Sequence, residues 1–428
     1  MAAEPDQLVA PPILGLIAQH VDEAAALRRQ RTRLVRAPHI RLHGLRRHDE
    51  RIAAHIDGIA VAGDVGRGLA HAASAQPGGG EVFTSALVAI GSNDGATIER
   101  LLGLGRASAD ASRGLVSAFG WASAADLRGL TRTLLVSRDP DARALGLAAC
   151  ALHQVDPGAA LSASALTDTH QPLAARALDV AGRMGRVDLM GACLTRTHAD
   201  DPMRLHAARA ALMLGDRRGA VEALQGWTME PSSDQGAAAI EALVLANAPA
   251  PTHTMLQALA SQPHAMRVLI RSAGLSGQTR YLPWLVEQCA DTRHARLAAD
   301  AFALITGVDM DAAQLTAPRP EGAESGPNDD PIDVDVALDP DEDLAWPDAA
   351  KVARWWHANA ARLDPAQRWF VGAPLTLAQC TAVLRNGMQR QRVVAALHRT
   401  LLAPGTPVFN VAAPAWRQQR LLASLRAS

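Results

Sequence analysis

Five prolines, Pro140, Pro172, Pro202, Pro231 and Pro263, recur along the middle of the chain at intervals of 32, 30, 29 and 32 residues. Self-similarity at a period of this size marks a repeat array, in which each unit buries its apolar face only against its neighbours. Proline fits the first turn of a helix, where its missing N–H would have no partner anyway, and is excluded from the interior. Each of the five therefore announces a new helix. Asp139 and Asp201 place a capping carboxylate directly before two of them.

The residues that follow each proline have helical periodicity. After Pro172, apolar side chains fall at Leu173, Ala177, Leu178, Ala181 and Met184, a three-and-four spacing that puts them on one face, and Gly185 supplies the stop. A second helix follows with Val187, Met190, Cys193 and Leu194 inward, and the next unit repeats the plan with Leu205, Ala208 and Leu212, then Val221, Leu224 and Trp227. The unit is a helical hairpin, and roughly seven can be traced between Glu81 and Thr306. Composition agrees: 48% of the residues are hydrophobic but only 3% aromatic. A core of Ala, Leu and Val favours close-packed helices over strands, which draw on aromatic and β-branched residues.

Four regions are expected around this array. Residues 1–75 form an N-terminal helical cap, with helices at Ile13–Val35 and Pro38–Val61, and Gln76–Gly80 is a flexible joint. The array occupies 81–317. Residues 318–343 contain ten acidic residues and one arginine and form an acidic linker. Residues 344–428 hold five of the eight tryptophans and form a small basic module, with no acidic residue and eight arginines from Pro365 onward. Within it, Val352, Trp355, Trp356 and Asn359 share a short amphipathic helix, Thr376 and Gln379 resemble a capping box opening a helix to about Leu402, and Pro414 opens the last helix. Opposite charge on linker and module leads us to expect that the linker folds back on the module or that both present their charges to one partner.

Several function classes are disfavoured. The formal net charge of -1 gives no global attraction to nucleic acid or anionic membrane. Of 42 basic residues only Lys351 is a lysine, and it stands in no phosphate-loop, Schiff-base or kinase context. Gly103-Leu104-Gly105 follows a helix rather than a strand and lacks a third glycine, so it is no dinucleotide loop. Cys150, Cys193, Cys289 and Cys380 are far apart and read as buried apolar residues of a reducing compartment. No stretch reaches the roughly 18 apolar residues of a membrane helix, and no basic n-region precedes the uncharged N-terminal stretch, so a cytoplasmic protein is expected.

Three clusters could carry chemistry. His39, His43, His48 and His55 fall in the second predicted helix, but without a completing ligand set they read as polar surface. Nine arginines between Arg28 and Arg51 face only Asp49 and Glu50, a basic stripe that reads first as a solvated face, then as suited to an acidic protein surface or, less well without aromatics, to phosphates. Asp333, Asp335, Asp339, Asp341 and Asp343 alternate, but the prolines and the missing glycine do not fit a calcium loop.

The array resembles HEAT-type helical repeats. The stretches Ala37-Pro38-His39, His48-Asp49-Glu50-Arg51, Ala54-His55-Ile56-Asp57-Gly58 and Val61-Ala62-Gly63, then Ile305-Thr306-Gly307-Val308, Asp339-Pro340-Asp341-Glu342-Asp343-Leu344, Pro404-Gly405-Thr406-Pro407 and Ala415-Trp416-Arg417-Gln418-Gln419-Arg420, resemble an uncharacterised bacterial family associated with type VI secretion gene clusters. The resemblance implies no catalytic residue and no cofactor; it implies partners among spike or effector components. The sequence thus reads as an all-α chain: an α-solenoid of HEAT-like hairpins with an N-terminal helical cap and a Trp-rich C-terminal module, acting as a protein-binding scaffold. Trp355, Trp356, Trp416, Arg417, Arg420, Arg46 and Arg47 are the candidate contact residues. The alternatives are a HEAT-like enzyme of the bilin-lyase type and a nucleic-acid binder using the N-terminal stripe.

Overall fold

The computed structural model describes residues 11–198, 200–323 and 339–425, and these are mostly helical, with one two-stranded hairpin. They fall into two compact units. Unit 1 collects Met1–Leu34 (described from residue 11), His43–Ala160 and Ala412–Arg417; unit 2 collects Val35–Leu42, Leu161–Val411 and Gln418–Ser428 (described to residue 425). These groupings do not follow the four regions read from the sequence. A six-residue piece from near the C-terminus belongs with the N-terminal helices, and most of the tryptophan-rich region groups with the later repeats.

Unit 1 comprises α1 (Leu14–Leu34), α2 (Leu42–Val61), α3 (Gly63–Ala73), α4 (Gly79–Gly91), α5 (Gly95–Ala107), α6 (Ala109–Trp121), α7 (Leu130–Leu135) and α8 (Pro140–His153). Its central helix is α4, whose Val82, Phe83, Ala86, Leu87 and Ile90 are all buried against α1 and α6. The run Gly78-Gly79-Gly80 is not a joint but the first turn of this helix. A Cβ on Gly80 would lie 2.3 Å from the Ala25 carbonyl oxygen, and one on Gly114 would lie 2.3 Å from that of Gly79. Glycine is present because α1, α4 and α6 pack backbone to backbone there.

Unit 2 contains α9 (Ala163–Leu166), α10 (Gln171–Met184), α11 (Met190–Leu194), α12 (Arg204–Leu214), α13 (Gly219–Gln225), α14 (Asp234–Ala246), α15 (Pro249–Ala260), α16 (Met266–Ser276), α17 (Leu282–Gln288), α18 (Ala295–Thr306) and α19 (Ala349–Asn359). The hairpin β1 (Trp369–Phe370) and β2 (Ala373–Pro374), α20 (Leu377–Asn386), α21 (Gln389–Leu402) and α22 (Ala415–Ser424) complete the chain, the first turn of α22 lying in unit 1. Helices α10, α12, α14, α16 and α18 each pack on the next in that series, and the intervening helices α11, α13, α15 and α17 pack against them. Their buried faces are rich in alanine, such as Ala207, Ala208, Ala210 and Ala211 of α12, which lets the axes approach closely.

The repeating prolines stand at the head of these long helices. Asp139 caps α8 at the amide of Asp141, 3.0 Å away, with Pro140 in the first turn. Before α12, Asp201 instead braces a turn by accepting from the Met203 amide at 2.7 Å. The second helix of that first hairpin opens as a 3-10 turn, and this turn rotates its face: Leu189 is buried and Val187 exposed. The helix expected from Thr376 to Leu402 is two helices. Gly387 breaks it, and Gln391 reaches back to the Met388 amide at 3.0 Å to start α21.

The acid-free C-terminal stretch follows the C-terminal ends of the long helices. Cations and N–H donors are favoured at the negative end of a helix dipole. Arg368 donates to the carbonyls of Ser276 (2.9 Å), Val244, Leu245 and Asn247, covering the ends of α16 and α14. The amides of Val371 and Val408 donate to Leu304 and Arg183 near the ends of α18 and α10, at 2.7 and 2.8 Å. Gly185, Gly277 and Gly307, with φ of 69°, 67° and 71°, end α10, α16 and α18, and a Cβ on any of them would meet the passing backbone within 2.6 Å. Of the arginines expected to meet the acidic linker, Arg368 is thus engaged with helix ends and Arg390 pairs with Asp300 of α18 at 2.9 Å. In the described part of the linker, Asp341 takes both outer nitrogens of Arg267 on α16 at 2.7 and 2.9 Å, and Asp339 takes Arg296 on α18 at 2.5 Å. Asp333 and Asp335 lie outside the described residues.

Candidate protein-binding site

The residues singled out from the sequence separate into two kinds. Trp355 and Trp356 are both half-buried edge-on against Phe302 at 5.6 and 6.4 Å. Trp416 is edge-on to Trp121 at 5.2 Å, and Arg417 caps α6 through the carbonyls of Gly120, Trp121 and Ala122 at 2.7, 3.2 and 2.9 Å. Arg46, Arg47 and Arg420 are exposed, with Arg46 in a surface pair with Glu50 at 2.7 Å.

Trp416 and Arg417 belong to a seat in unit 1 that the sequence reading missed. Arg31, on the buried face of α1, grips Asp49 of α2 with Nε at 2.6 Å and Nη2 at 3.1 Å. The same guanidinium donates to the carbonyls of Ala412 and Ala413 at 2.9 and 3.0 Å and lies over Trp121 at 5.1 Å. Asp49 in turn accepts from the Ala415 amide at 2.8 Å. The signal in the sequence was Arg31 itself, a charge on the face that otherwise buries Ile17, Val21, Ala24 and Leu27.

Recesses open on the described part of unit 2. The first, about 670 Å3, is bordered by Arg41, Asp309, Asp311 and Asp343 with Met310, Leu344 and Val371 between them; Arg41 pairs with Asp309 at 3.4 Å and donates to the Asn386 carbonyl. The second, about 660 Å3, is a groove between α13 and α15 floored by α14. It exists because α13 is short. After Gln225 the chain turns through a 3-10 segment, Gly226–Met229, in which Trp227 is held under the Arg204 guanidinium at 4.7 Å. Leu243 and Leu259 form the floor, Val221 and Met255 the walls, and Met229 an exposed lip.

The four cysteines are buried, and two histidines are committed to backbone carbonyls. Burial pushes the Cys150 thiol up to about 11, and those of Cys193, Cys289 and Cys380 to about 12. His48 and His153 spend Nε2 on the carbonyls of Leu27 and Phe119, both at 2.8 Å, and burial lowers both pKa values. Of the four clustered histidines, His39 precedes α2, His43 is exposed, His48 is buried, and His55 meets His20 of α1 with Nδ1 atoms 2.9 Å apart. Among the described residues no group of three or more His, Cys, Asp or Glu is placed to hold a metal ion, and no helix is long and apolar enough to cross a membrane. Comparison with protein-family models, with curated proteins and with solved structures gives no match.

Proposed function

We propose that the chain is a non-catalytic protein-binding scaffold or adaptor: a HEAT-like α-solenoid, cytoplasmic, serving type VI secretion components or the loading of their effectors. The observation that carries the reading is the groove between α13 and α15, an open apolar recess on stacked helices. The placement of the cysteines and histidines favours binding over catalysis, and Lys351 sits in a surface pair with Asp348 at 3.3 Å. The small cavity at His71, Thr97 and Asp94 has a structural account, since Asp94 caps α5 by accepting from the Thr97 amide at 3.0 Å and its hydroxyl at 2.7 Å. The N-terminal arginine stripe fits phosphate binding less well. Arg31 is sealed with Asp49, Arg29 pairs with Glu81, and Arg28 donates to Ser117 at 2.8 Å. The secretion assignment rests on the sequence resemblance.

The test is a crosslinked pull-down of the tagged full-length chain from its native host at moderate salt, with mass spectrometry of the retained proteins. Reproducible recovery of a secretion spike or effector is the expected result. Recovery of no protein, or of a bound pigment instead, overturns the reading.

A further inference from the structure

We propose that the groove between α13 and α15 binds a short, extended, apolar and acidic segment of a partner protein, with Arg217 receiving its carboxylate. This rests on the adaptor reading and narrows it to one site and one chemistry.

Three features of the lining select that occupant. The floor and walls, Leu243, Leu259, Val221 and Met255, reward burial of apolar side chains, and the methionine adapts to their shape. Along the rim stand Gln225, Asn247 and Gln262, whose amides both donate and accept. An extended segment brings unpaired main-chain N–H and C=O groups that such amides can satisfy, whereas a helix has already paired its own. Arg217 is the one charged residue of the lining. It gives three hydrogen bonds to main-chain carbonyls: Leu212 at 2.6 Å, Asp216 at 3.1 Å and Leu401 at 3.1 Å. A guanidinium carries five N–H groups, so two remain for a ligand. Among the described residues Arg217 makes no salt bridge, and the neighbouring Asp216 carboxylate is turned to the amides of Arg218 and Ala220 at 3.1 and 2.7 Å. A half-buried cation in an apolar groove without acidic residues attracts a carboxylate and repels a basic segment.

The experiment is selection of a phage-displayed library of random linear peptides on the immobilised full-length protein, followed by titration of the enriched sequences as synthetic peptides. The enriched peptides are expected to combine apolar residues with Asp or Glu, and to lose roughly tenfold or more in affinity for Met255→Asp and for Arg217→Met. Because Arg217 also caps α12, Gln225→Ala on the exposed rim serves as a second variant, and each variant is checked for an unchanged melting temperature. Absence of enrichment, a basic consensus, or unchanged affinity in Met255→Asp overturns the proposal. Full capture of a natural partner by Met255→Asp would overturn this site and leave the adaptor reading standing. Peptide binding without any natural partner would overturn the adaptor reading alone.

Discussion

Each unit buries an arginine completely or nearly so, and the two solve the same problem differently. In unit 1 Arg31 is matched by Asp49, a carboxylate with no exposed surface, and both then hold the backbone of residues 412–415. In unit 2 Arg392, also without exposed surface, has only neutral acceptors: the Leu384 carbonyl at 2.7 Å, Gln418 Oε1 at 2.6 Å and Gln389 Oε1. Burial lowers its pKa to about 10. An ion pair in a low-dielectric interior depends on both members, since removing one strands the other charge, whereas neutral acceptors left behind lose only hydrogen bonds. The Arg31 site is closed by charge and the Arg392 site by neutral dipoles, and the two should fail differently.

The largest effect is expected from Asp49→Ala, which leaves Arg31 buried without its counter-charge and costs about 3–5 kcal/mol, read by thermal unfolding and by protease sensitivity of α1 and α2. Arg392→Met removes the charge and leaves neutral carbonyls, so about 1–3 kcal/mol is expected. Equal losses in the two variants would break the comparison. A third test concerns His398, buried edge-on against Phe370 at 5.2 Å, whose pKa burial pushes down to about 3. An unfolded chain takes up that proton near pH 6.5 while the folded one refuses it, so stability is complete above about pH 6.5 and falls as pH drops toward 3. His398→Phe should flatten the acid limb of stability against pH by up to ~1.4 kcal/mol per pH unit, and an unchanged slope would place the acid sensitivity elsewhere. The smallest effect is expected at Gly103, within α5 with nothing near its Cβ position, where Gly103→Ala should stabilise by about 0.5–1 kcal/mol in chemical denaturation.

The sequence disclosed the long helices and their period because those follow from local patterning: proline in or just before a first turn, alanine and leucine at helical spacing, glycine at the end. It misled where a residue's meaning depends on a distant neighbour. Gly78-Gly79-Gly80 reads as a joint unless Ala25 is known to press against it. Arg368 and Arg417 read as part of a basic module unless the helix ends they cover are known. Val371, with φ 48°, turns a hairpin that no local propensity announces, because its amide is drawn to Leu304. The groove was hidden for a related reason. Val221 appeared as an inward residue of a hairpin, and only the early end of α13 at Gln225 leaves it lining an open recess.

Residues 412–417 give unit 1 an unusual relation to time. A ribosome that has finished residue 160 must still add 257 residues (417 − 160) before the last piece of that unit exists. At synthesis rates of about 5–20 residues per second this is roughly 13–50 s, during which Arg31 and Asp49 lack the backbone they are shaped to grip. A chain cut short anywhere before Ala415 never supplies that amide to Asp49. Until that segment is supplied, the Arg31–Asp49 pair lacks part of its hydrogen-bonding shell, and the N-terminal helices are held less firmly than in the full unit.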